Sequence, residues 1–145
     1  MSSDVDICNA ALNNIGASNI ISLSEDSKAA RVCNQRYTIV RDAVFRAHPW
    51  NCYEVEGRNI VSNETTMKIK FIARVFDANE YDALLIETIA ARLSSEIAYP
   101  LVNSTSLQSQ LFNIYEHKIS TAQFVDATEG TPAEITSTYF TDARL

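Results

Sequence analysis

The chain has little of what breaks, staples or threads a protein. Glycine and proline number three each among 145 residues, which excludes collagen-like and low-complexity architectures and leaves few forced turns. The three cysteines, Cys8, Cys33 and Cys52, are odd in number and about 19 to 25 residues apart, matching neither a disulfide framework nor the paired spacing of a zinc site. They read as small buried apolar residues. No apolar run approaches the roughly eighteen residues a membrane span needs, and Met1 does not open a charged-then-apolar leader. The chain is expected to stay off membranes and to be made in a reducing cytoplasm.

Basic charge is also short. Twelve Lys and Arg face 18 Asp and Glu, for a net charge of -6, and such a molecule repels phosphate backbones overall. One stretch departs from this balance, with Lys28, Arg31, Arg36, Arg41 and Arg46 set against Glu25, Asp26 and Asp42. Arginines five residues apart on a helix advance about 140° per step. They are therefore expected to spread around the cylinder as solvated or subunit-contact positions, with Arg31, Arg36 and Arg46 the candidates for contact between subunits.

What is present is apolar content and helical period. Hydrophobic residues make up 46% of the chain, enough for one domain that buries roughly 70% of its unfolded surface. Val5, Cys8, Ala11, Leu12 and Ile15 have helical spacing, with Gly16 placed to stop that helix. Ser24 before Glu25 and Asp26 predicts the cap of a second helix. Cys33, Tyr37, Val40, Val44 and Ala47 give that helix one stripe, and Pro49 ends it, so that His48 is the hinge and Trp50 turns back on the bundle.

Beyond Trp50 the texture alternates. Tyr53-Glu54-Val55-Glu56, a turn at Gly57, Asn59-Ile60-Val61-Ser62 and then 67–75 predict three short strands, a hairpin extended to a small sheet. Asp77 with Glu80 has the form of a capping box, opening a third helix over 78–98 that Pro100 breaks. Ser104 caps a fourth helix with Leu107, Leu111, Ile114, Tyr115 and Ala122 on its apolar face, ending near Ala127. The fold class is thus mainly α: a four-helix bundle-like domain over 1–127, with a small inserted antiparallel β hairpin or sheet around 53–75. An extended C-terminal tail follows over 128–145, with Gly130, Pro132 and no sustained period. Its Ile135, Tyr139, Phe140 and Leu145 would expose much apolar area if free, so they are expected to dock on a partner.

Chemistry-bearing constellations are sparse. His48 and His117 are the only histidines and neither has a Cys or acidic neighbour at ligand spacing, so no metal site is expected. His48 is expected to cap the last carbonyls of its helix. Glu54 and Glu56 share one strand face about 7 Å apart, a geometry open to a glycan-cleaving carboxylate pair but more usual for a solvated surface. No nucleophile elbow, phosphate loop or zinc-protease motif occurs. No catalytic residue and no cofactor is expected.

Cys8-Asn9-Ala10-Ala11-Leu12, the following Ile15-Gly16, and the run from Arg41-Asp42 through His48-Pro49-Trp50-Asn51 resemble the head-to-tail adaptors of short-tailed phages, the tail tubular protein A family. Tyr53 to Gly57, Phe71 to Val75 leading into Asp77, and Ala90-Ala91-Arg92-Leu93 resemble its later segments. The likeness covers most of 1–127. It departs where the family carries a longer β-rich stretch after the His-Pro-Trp motif, since only Asn51 and Cys52 stand there. The resemblance implies a structural virion protein at the head-tail junction. It would form a twelve-fold ring beneath the portal, prolong a DNA channel without specific binding, and offer its lower face to the tail nozzle. Arg41, His48, Pro49 and Trp50 would be its motif residues, and the C-terminal tail its portal-docking element. A helical DNA-binding module and a cell-wall glycan hydrolase are the alternatives.

Overall fold

The computed structural model describes residues 3–48, 50 and 75–129. Within them the chain forms four helices, α1 (Asp4–Asn14), α2 (Lys28–Ala47), α3 (Ala83–Val102) and α4 (Thr105–Glu129), with a short 3-10 turn at Ala78–Glu80 before α3.

Helix α3 is the hub. It packs against α1, α2 and α4, and it buries residues nearly all round: Leu85, Ile89, Leu93 and Ile97, together with Thr88, Ser94 and Ser95. A helix apolar on every side is stable only when surrounded. Its small polar residues need no outside partner, since the hydroxyls of Thr88, Ser94 and Ser95 bond back to the carbonyls of Leu84, Ala91 and Arg92. Short side chains at these positions let neighbouring helices approach closely.

Each helix end has a local cause. Ser3 and Asp6 form a reciprocal capping box at the start of α1, with Ser3 N–H donating to the Asp6 carboxylate at 2.9 Å and Asp6 N–H donating to Ser3 Oγ at 3.2 Å. At its far end Ala17 N–H bonds Leu12 O and Gly16 N–H bonds Asn13 O, while Gly16 takes φ +70. This is the left-handed stop for which glycine is suited. Asn9 then clamps the following loop, donating to Ile20 O at 2.9 Å and accepting from Ile20 N–H at 2.8 Å.

Several boundaries differ from the sequence expectation. Helix α2 is capped by Ser27, whose Oγ accepts from Ala30 N–H, and not by Ser24. The Glu25 carboxylate is already engaged by Ile21 N–H at 3.0 Å and Ser24 bonds Ser22, which holds 21–26 in a loop. Asp77 caps only the 3-10 turn, and Asp82 caps α3 by accepting from Leu84 N–H at 2.9 Å. Pro100 lies inside α3 rather than ending it. The stop is Asn103, at φ 59, with its N–H bonded to Tyr99 O. On α4 the inner face is Leu107, Leu111, Tyr115, Ile119 and Ala122, whereas Ile114 is exposed. Ser104 does receive Leu107 N–H at the start of that helix.

The four-helix part of the expected fold is present, and the expected β insertion is corrected: among the described residues the fold is all-helical and no strand occurs. Val75, the last residue of the expected third strand, is buried in the helical core and belongs to no strand. Its carbonyl receives the Tyr81 hydroxyl at 2.9 Å, which ties Val75 to the residues just before α3. The rest of the expected hairpin and sheet, including Glu54, Glu56 and Gly57, lies outside the described residues. So does the tail from 130 onward. No helix of the described residues is long and apolar enough to cross a membrane.

Candidate functional site

The Arg41 to Trp50 run folds as the corner where α2 ends. Arg41 is turned inward and only 4% exposed. Burial works against its charge, but the guanidinium donates twice to Asp42 Oδ1, at 3.2 Å each, and these bonds hold it firmly protonated. The Tyr37 and Phe76 rings lie within 5.7 and 5.5 Å of it, a distance at which a ring quadrupole attracts a cation. Phe45 meets Tyr81 edge to face at 5.3 Å. These contacts lock the segment entering α3 against α2.

Trp50 turns back into the core, 6% exposed, and its indole N–H donates to Val44 O at 3.1 Å. His48 packs edge-on against Trp50 at 4.9 Å, and its Nε2 lies 2.8 Å from Asp126 Oδ2 on α4. Beside it Gln123 Nε2 donates to Ala47 O at 3.2 Å. Two of the orphan carbonyls at the end of α2, those of Val44 and Ala47, are therefore met by Trp50 and Gln123, not by the His48 ring as expected. The ring instead forms half of a clasp between α2 and α4. Pro49 lies outside the described residues.

Arg31, Arg36 and Arg46 are all exposed, together with Lys28. They do not spread around the helix: Arg41 alone turns in, and the other four cations fall within an arc of roughly 140° on the outer side of α2. Ile39, 61% exposed, stands in the middle of that arc. Among the described residues one of the four pairs with a carboxylate, in the exposed Arg31–Asp26 contact at 3.3 Å, which stabilises little. Counting all the arginines of α2 together spreads them around the helix; setting aside Arg41, the one that is buried, leaves this face.

Hydrogen bonding to Cys33, followed by burial, pushes the Cys8 thiol far up, so it stays protonated in the α1–α2 contact. Cys52 is outside the described residues. Among the described residues no group of three or more His, Cys, Asp or Glu is placed to hold a metal ion. A shallow open groove of about 370 Å³ between α3 and α4 is lined by Ser95, Glu96, Gln108, Ser109, Phe112 and Asn113. The nearby Arg92 is committed to Glu96 at 3.1 Å and to the Phe112 and Tyr115 rings. His117 is exposed on α4. The expected docking residues Ile135, Tyr139, Phe140 and Leu145 lie outside the described residues.

The fold and its faces define a helical domain built around a buried α3, with a basic helix face on one side and a histidine–aspartate clasp at one end. No family model and no curated protein matches the sequence.

Proposed function

We propose that the chain is a structural virion protein, a head-to-tail adaptor that forms a ring beneath a phage portal, prolongs the DNA channel and carries the tail. The observation that supports this reading most is the fate of the Arg41 to Trp50 motif. Its polar and aromatic residues are spent on joining α2 to the segment before α3 and to α4, as suits a motif that serves shape rather than chemistry. The Cys8 to Leu12 motif behaves alike, with Asn9 pinning the loop that leads to α2. Portal and tail nozzle are the partners in this reading, and no cofactor takes part. DNA passes through the ring without being held, which an overall acidic subunit favours.

The decisive measurement is the mass of the purified protein alone and mixed with portal rings, by native mass spectrometry. A stoichiometric complex, with portal binding lost in a chain ending at Ala127, is the expected result. No association with a portal competent for its other partners would overturn the reading.

A second reading, a DNA-binding helical module, is favoured by the exposed cations of α2. It requires duplex affinity that falls steeply with salt. A titration at low salt that shows no binding removes it.

A further inference from the structure

Among the described residues charge is divided between faces. Seven of the described residues are Lys or Arg, and five of them, Lys28, Arg31, Arg36, Arg41 and Arg46, stand on α2, where Asp42 is the one carboxylate. The two cations elsewhere are both engaged, Arg92 with Glu96 and Lys118 with Glu87. Twelve carboxylates occupy the rest of the described chain. Three of these, Asp77, Glu80 and Asp82, are exposed within one short segment before α3. Next to them Phe76 covers Arg41 with one side and remains 66% exposed. The molecule thus presents a basic face centred on Ile39 and an acidic segment bearing Phe76.

We propose that the outer face of α2 docks on segment 76–82 of a second copy of this chain, cations against carboxylates around the apolar Ile39 and Phe76. A second copy fits better than a polyanion for two reasons. A nucleic acid approaching α2 would meet a body that is otherwise strongly acidic. It would also leave Ile39 against phosphates, whereas the acidic segment brings an aromatic ring to it. Opposite charges set around apolar centres steer the encounter and fix its register. Because the two patches differ, each copy uses one toward each neighbour, a head-to-tail arrangement that closes into a ring or continues as a filament. The ring form rests on the adaptor reading above; the contact itself rests on the division of charge.

Sedimentation velocity on the full chain tests it with two complementary variants. K28E/R31E/R36E reverses three exposed cations of the basic face, and at Lys28, in the first turn, an acidic residue suits the helix dipole. D77N/E80K/D82N reverses the acidic segment and keeps both caps, since Asn caps as well as Asp. The wild type is expected to self-associate at low salt and to weaken about tenfold or more at high salt. Each variant alone should weaken by about a hundredfold, and an equimolar mixture of the two should regain association. A wild type that stays monomeric at every salt and concentration, variants that associate unchanged, or a mixture that does not recover would each overturn the contact. So would loss of duplex DNA binding in K28E/R31E/R36E with self-association intact. Portal capture on the same samples separates the two ideas: capture without self-association sinks this contact alone, and self-association without capture sinks the adaptor reading alone.

Discussion

His48 and Asp126 stand 78 positions apart in the chain and meet at 2.8 Å, Nε2 to Oδ2, each side chain less than one-fifth exposed. Helix α4 packs chiefly on α3, so this pair, with the Gln123 bond to Ala47 O, ties the last turns of α4 to the end of α2. A clasp at the end of a 25-residue helix matters because helix ends fray first.

Removing either half of the clasp should loosen that end more than the bundle. H48A and D126A are each expected to destabilise the chain by about 1 kcal/mol, and the double variant by less than their sum. Urea unfolding gives the energies. Amide exchange should rise over 122–129 and stay unchanged in α1. Strictly additive losses would mean that the two side chains do not act as a pair.

The second test concerns Tyr37, whose hydroxyl donates to Asp4 Oδ1 at 2.8 Å across the α1–α2 contact. Burial first, and then the Asp4 carboxylate, push its phenol above the ordinary value near 10. A group whose folded pKa is raised contributes stability that is present below the unfolded value and lost as pH rises toward the folded one. The wild type should therefore lose stability above about pH 10. Y37F should cost about 1 kcal/mol at neutral pH and flatten that alkaline loss. Equal alkaline slopes would show that Tyr37 is not its source; Tyr115, also raised by burial, would then be the next residue to replace.

Much of the helical architecture was legible because the signal was periodic. Cys33, Tyr37, Val40 and Val44 share one face in the sequence and are buried together, and Gly16 stops α1 where a residue free to take positive φ is needed. What was not legible depends on partners distant in the chain. Ser24 and Ser27 are equal as capping residues, and the choice falls to Ser27 because Glu25 serves a loop amide. Pro100 signals an end, yet the apolar stripe carries α3 past it to Asn103. Arg41 has the same spacing as its exposed neighbours and differs only by facing the Tyr37 and Phe76 rings. Asn9 carried no signal beyond its place in the Cys8 to Leu12 motif.

The end of α3 offers a third test. Pro100 cannot donate the bond its position would make to the carbonyl four residues back, and Asn103 occupies a left-handed conformation that disfavours residues other than Gly and Asn. P100A is expected to raise stability by about 1 to 2 kcal/mol. N103G should be neutral or slightly stabilising, and N103V should lose about 1 to 2 kcal/mol. Thermal unfolding of the three variants checks the order. A stable N103V would show that α3 ends elsewhere in solution.

The last test asks whether the His-Pro-Trp motif is a joint or a binding surface. Trp50 is the one tryptophan in the chain, so its fluorescence reports this corner alone. Buried beneath the end of α2 with its N–H on Val44 O, it should emit to the blue of a solvated indole and shift to the red as the chain unfolds. W50F keeps an aromatic ring but leaves the Val44 carbonyl without that donor, which should cost about 1 to 3 kcal/mol. A joint predicts that stability falls while portal capture, measured well below the unfolding temperature, is unchanged. A binding surface predicts the reverse, with capture lost and stability kept. The burial of Trp50 selects the first outcome, because a side chain with so little exposed area has almost nothing to offer a partner until the corner itself comes apart.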